Sequence, residues 1–168
     1  MDVSSSGLRR AVQADPAVIH LAVHAVTADR SARELKLALS LDPSGAPEVL
    51  GRDDIRALAC GASLVVMSGC SSGWGEFKPG AGVIGLTRAW LQSGAESVVA
   101  SLWPVPDDDG SMFALFYRRL DQGGARGLPQ RVPEALRAAQ LAMTRTGDWR
   151  AEPRYWAAYF AVSRGLPQ

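Results

Sequence analysis

Three short apolar runs, Val18 to Val23, Leu64 to Met67 and Ser97 to Leu102, are separated by segments with helical signals. Runs of this length, rich in Val and Ile and bounded by turn residues, read as buried strands; strands that alternate with helices assemble into a parallel sheet. Parallel pairing puts the carboxyl ends of successive strands on one edge, where open α/β sheets hold their ligands. Two reactive side chains fall just past those ends. His24 follows the first run and Cys70 the second, 46 residues apart.

The remaining segments fit the same plan. Leu8 to Gln13 reads as the end of a short helix that Asp15-Pro16 breaks. After His24 a loop leads to Glu34–Leu41, whose leucines alternate with Lys36, Ala38 and Ser40; turned by Asp42-Pro43-Ser44-Gly45, this predicts a half-exposed hairpin ending near Val49-Leu50, a flap lying off the core. Asp53 is a candidate N-cap for a helix through Leu58. A Gly-rich loop from Gly73 to Gly82 precedes a helix carrying Val83, Leu86, Trp90 and Leu91, which Gly94 ends. Asp107-Asp108-Asp109 suits the start of a helix bearing Met112, Leu115, Phe116 and Leu120. Gly123 to Pro129 reads as a linker, Pro133 to Arg145 as a second helix and Tyr155 to Val162 as a last apolar element.

The bulk numbers narrow the classes of function. The 168 residues, 47% of them hydrophobic, suffice for one domain with a core. Eighteen basic and seventeen acidic residues give a net charge of +1, with no basic run interleaved with aromatics, so nucleic acid is not expected as a partner. No stretch approaches the ~18 apolar residues of a membrane span, and the start MDVSSSGLRR lacks the order of a secretion signal. The expected location is the cytoplasm, where Cys60 and Cys70 stay reduced.

A cysteine attacks carbonyls as thiolate, and a neutral imidazole within reach can accept its proton. His24 is the expected partner of Cys70. His20 alternates in phase with His24 but lies deeper in the strand, where a buried, hydrogen-bonded role is expected. Cys60 fits the ordinary behaviour of a free cysteine as a small buried hydrophobe. Cys70 differs in being flanked by Ser68, Gly69, Ser71, Ser72 and Gly73, which leave its backbone open to a substrate. The N–H groups of Cys70 and Ala25 are then candidate donors to the carbonyl oxygen that becomes negative in acyl transfer. Trp74, Phe77 and Trp90 read as core or substrate-wall residues. With no Gly-rich phosphate loop followed by Lys and no zinc-type His/Cys spacing, neither cofactor nor metal is expected.

The segments IHLAVHA, LVVMSGCSSGWG, GVIGLTRAWLQSGAESVVASLWPVPDDD, EALRAAQLA and YWAAYFAV resemble the CHAT domain, a caspase-like peptidase domain common in bacteria beside helical repeats. The resemblance runs from about Val18 to Val162. It implies a caspase-like α/β fold, a mostly parallel sheet flanked by helices, and a catalytic Cys–His dyad of Cys70 and His24; a His roughly 50 residues before the Cys is also the caspase spacing. Three departures stand out. Ala25 replaces the family's usual Gly after the histidine, Ser71 replaces an acidic residue after the nucleophile, and residues 1–17 are too few for the two strands that precede the His strand in the full fold. One partial domain over residues 1–168 is therefore expected. Its exposed sheet edge would be completed by a partner chain or a missing amino-terminal half, and the chain alone would self-associate.

For specificity, the resemblance assigns Ser68 to the primary pocket and points to the loop after the third strand. There Trp103 and Asp107 would receive a basic side chain; the alternative for Asp107 is a helix N-cap. The function expected is a cysteine endopeptidase acting on protein or peptide substrates through a thioester. The alternatives are a catalytically silent remnant that serves as a protein-binding module, and a thiol hydrolase with a non-peptide substrate.

Overall fold

In the computed structural model, residues 4–27, 35–70, 72–73, 75–78, 82–106, 110–122 and 127–164 are described. In chain order the elements are α1 (Ser5–Gln13), β1 (Val18–Leu21), β2 (Ala25–Thr27), β3 (Leu35–Leu41), β4 (Pro47–Leu50), α2 (Arg52–Arg56), β5 (Leu64–Met67), β6 (Gly75–Lys78), β7 (Gly82–Gly85), α3 (Leu86–Ser93), β8 (Ser97–Ser101), α4 (Ser111–Asp121), α5 (Leu128–Met143) and β9 (Tyr159–Ser163). The main sheet has the order β1-β5-β8-β9, with the first three strands parallel and β9 antiparallel to β8. This is a mixed α/β fold with a mostly parallel sheet flanked by helices, as in the caspase-like architecture.

Central strand β5 explains the layering. All four of its residues are fully buried: Val65 and Met67 face one core and Leu64 and Val66 the other. The first core joins α1, α3 and the β3–β4 hairpin, with Trp90 and Leu37 fully buried in it. The second joins α4 and α5 through Met112, Phe116, Leu136 and Met143. The ends of α1 and α3 follow from local chemistry. Ser4 Oγ accepts the Gly7 N–H at 3.1 Å to start α1. Gly94 ends α3 at φ +129°, where a Cβ would come within 2.2 Å of the Cys60 carbonyl oxygen.

Several boundaries differ from the sequence reading. The first strand stops at Leu21 and alternates, with Ile19 and Leu21 buried and His20 exposed, because β1 pairs with β5 on one side and forms the edge of the main sheet among the described residues. The chain after His24 is a strand, β2, paired antiparallel with β3. The predicted flap belongs to the core, since Leu35, Leu37 and Leu50 are buried, while a register shift between Ala38 and Leu41 leaves Leu41 exposed. The Gly-rich loop contains the paired strands β6 and β7, so α3 starts at Leu86. Helix α5 starts at Leu128 and carries Pro133 inside it at the cost of one i→i−4 bond. Among the described residues no helix is long and apolar enough to cross a membrane.

Candidate active site

Register fixes the two reactive residues relative to each other. In the β1–β5 pair, Val18 opposes Leu64 and Leu21 opposes Met67, so residues separated by 46 positions stand side by side. His24 and Cys70 keep that separation three residues beyond the last pair. The pairing reaches one step past the strands, where the Ser68 N–H donates to the Leu21 carbonyl at 3.1 Å. The two connections then run in close contact: a Cβ on Gly69 would lie 1.8 Å from the Val23 carbonyl oxygen and 3.8 Å from the Ala25 nitrogen. Only the absence of a side chain at Gly69 lets the His24 and Cys70 turns touch.

His24, Cys70 and Ser68 line one cleft of about 410 Å³ at the carboxyl edge of the sheet. His24 is exposed, and Cys70 is half-buried with its thiol donating to the Val105 carbonyl at 3.2 Å. The Ala38 N–H donates to the His24 carbonyl at 2.8 Å, which makes Ala25 and Leu37 a non-hydrogen-bonded pair. The Ala25 N–H consequently faces away from β3.

The Cys70 turn is held from behind by residues that local sequence reading missed. Ser101, at the end of β8, donates from its hydroxyl to the Gly69 carbonyl at 2.8 Å and accepts the Ser72 N–H at 3.2 Å. Ser72 returns the contact: its hydroxyl accepts the Ser101 N–H at 3.1 Å and donates to the Met67 carbonyl at 2.8 Å. Both serines are fully buried. The Tyr159 hydroxyl donates to the Ser68 carbonyl at 3.1 Å. Buried polar groups so fully paired rigidify what they hold.

His20 also faces this cleft, contrary to its expected buried place. One of its ring nitrogens is 3.0 Å from the Ser68 hydroxyl and the other 2.9 Å from the Tyr117 hydroxyl. Its ring packs on Phe113 at 5.1 Å between centroids, and burial of that side lowers its pKa from 6.5. Burial also pushes the Tyr117 phenol up to about 12, so it remains a hydroxyl. His20 and His24 share the cleft although the strand ends at Leu21, between them.

Of the expected pocket residues, Ser68 lines the cleft with its hydroxyl engaged by His20. Trp103 is exposed and lies outside the lining; Val105 and Pro106 of the same loop take its place. Asp107, Ser71 and Trp74 lie outside the described residues. Trp90 is core. Cys60 is buried, and that burial raises the pKa of its thiol. Among the described residues no three of His, Cys, Asp and Glu gather as metal ligands would.

The chain matches the family model of the CHAT domain over residues 1–164. It belongs to that family. CHAT domains are caspase-like peptidase domains. This one is 35% identical over 86 residues to tetratricopeptide repeat protein 28 of Homo sapiens, a stretch that covers 48% of this chain and 3% of that much longer protein.

Proposed function

We propose that this CHAT domain is a cysteine endopeptidase in which His24 is the general base and Cys70 the nucleophile. The observation that carries the reading is the common register: His24 and Cys70 line one open cleft beside a backbone N–H that points away from its own sheet, and His20, which lines it too, has both ring nitrogens engaged by Ser68 and Tyr117. In the reaction, His24 takes the thiol proton and the sulfur attacks the peptide carbonyl. The N–H groups of Cys70 and Ala25 receive the oxyanion, and collapse of the tetrahedral adduct expels the amine, to which the His24 imidazolium gives its proton. Water, deprotonated by His24, then hydrolyses the thioester and restores the free thiol.

Alkylation of the intact chain with iodoacetamide, read by peptide mass spectrometry, tests the dyad. Cys70 is expected to label fast, Cys60 slowly, and His24→Ala to slow labelling of Cys70 on the order of tenfold, because an ordinary thiol is only a few per cent thiolate near pH 7. Equal rates in wild type and His24→Ala would overturn the dyad and favour a protein-binding role for the same fold.

A further inference from the structure

We propose that the wall of the cleft formed by His20, Phe113, Tyr159 and Val105 is a neutral, aromatic subsite that receives an uncharged apolar side chain flanking the scissile bond. The inference rests on reading the cleft as a peptide-binding site, and it assigns to that site a substrate class different from the basic one that Asp107 would select.

The argument is one of satisfied polar atoms. Both His20 ring nitrogens are engaged, by Ser68 and Tyr117. The Tyr159 hydroxyl is engaged by the Ser68 carbonyl. The Phe113 ring is the hub of the wall, 5.1 Å from His20 and 5.0 Å from Tyr159 in an edge-on contact. What these residues offer a guest is therefore ring surface. The described residues that line the cleft include no carboxylate, Lys or Arg. Against these described residues a charged guest would lose water without finding a counter-charge among them, whereas an apolar one gains with each Å² it buries. A cleft of about 410 Å³ also has room for a ring together with the peptide backbone at Cys70.

The Ser68 hydroxyl does not reverse this. Its bond to His20 and the bond of its carbonyl to Tyr159 make it a brace for the wall, fixing the two rings on either side of the strand end.

The test uses the full chain with Cys70→Ala, so that binding is read without chemistry. Hexapeptides identical except for one central residue, Phe, Leu, Lys or Asp, are titrated by NMR. The Phe and Leu peptides are expected to bind about tenfold or more tighter than the Lys and Asp peptides, and Phe113→Glu is expected to shift the preference to Lys. Where Phe113→Glu lowers the melting temperature too far, His20→Glu, at an exposed ring, makes the same test. Tightest binding of the Lys peptide to the Cys70→Ala protein, equal binding of all four, or no binding would overturn the subsite. The arms separate this inference from the dyad: a retained Phe preference with slow Cys70 alkylation removes the peptidase and keeps the subsite, and the opposite pair of results does the reverse.

Discussion

Gly69→Ala adds one methyl group at the place where the His24 and Cys70 connections touch. The new Cβ would stand 1.8 Å from the Val23 carbonyl oxygen and 3.0 Å from its carbon. An unstrained C···O contact is about 3.3 Å or longer, so the His24 turn and the Cys70 turn must part by roughly 1.5 Å. Neither side yields easily. The Gly69 carbonyl is tied to Ser101, and the His24 carbonyl is tied to β3 through Ala38. Overpacking of this kind costs about 1–3 kcal/mol, and a backbone-on-backbone clash belongs at the upper end. For a chain of this size that lowers Tm by roughly 2–12 °C. Reactivity falls as well, since parting the two turns takes the imidazole out of reach of the thiol, a loss bounded by the roughly tenfold expected of His24→Ala. Differential scanning fluorimetry reads the first number and the Cys70 alkylation rate the second. Expected is a folded protein whose Cys70 labels as slowly as in His24→Ala. Wild-type labelling together with an unchanged Tm would refute the close contact and, with it, the claim that glycine is what brings the dyad together.

Ser101→Ala removes a buried hydroxyl that serves both the Gly69 carbonyl and the Ser72 N–H, and is expected to cost about 1–3 kcal/mol, seen as a Tm lower by roughly 2–12 °C; no change in melting would show that the two serines do not hold the turn. Native thiol titration with a disulfide reagent should find one reactive thiol, Cys70, with Cys60 reacting only in denaturant, because Cys60 is buried with a raised pKa. His20 should titrate below 6.5 by NMR. Its depressed value means that the unfolded chain takes up the proton first as pH falls below 6.5, so stability present at pH 7 declines from there down through the folded pKa. A denaturation midpoint that falls no more between pH 7 and 5.5 in wild type than in His20→Gln would contradict this.

What the sequence disclosed is what depends on burial period. The runs Leu64 to Met67 and Ser97 to Leu102 were legible as buried parallel strands because β5 and β8 are wholly apolar or small, and the run that precedes His24 pairs with β5 as their alternation with helices implied. The leucine alternation likewise marked β3 and β4. Its burial was not legible, because β2 contributes only Ala25, Val26 and Thr27, too short a run to announce a third strand against the hairpin. The Gly-rich composition of residues 73–82 hid β6 in the same way. The support of the site was invisible for another reason. Ser101 and Tyr159 meet the Cys70 turn from 32 and 91 residues away, and a serine that ends a strand or a tyrosine that begins one has no local signature of what it will touch. His20 was misplaced because its face depends on where α4 lies.

The resting position of the thiol decides how the site must work. Cys70 donates to the Val105 carbonyl, so in this state its proton points at the loop after β8 rather than at His24. An S–H is a weak donor, and at 3.2 Å to a neutral carbonyl the bond contributes no more than the ~1 kcal/mol of an ordinary net hydrogen bond. A χ1 rotation that breaks it slows proton transfer by less than about tenfold. The contact is thus too weak to lock the nucleophile.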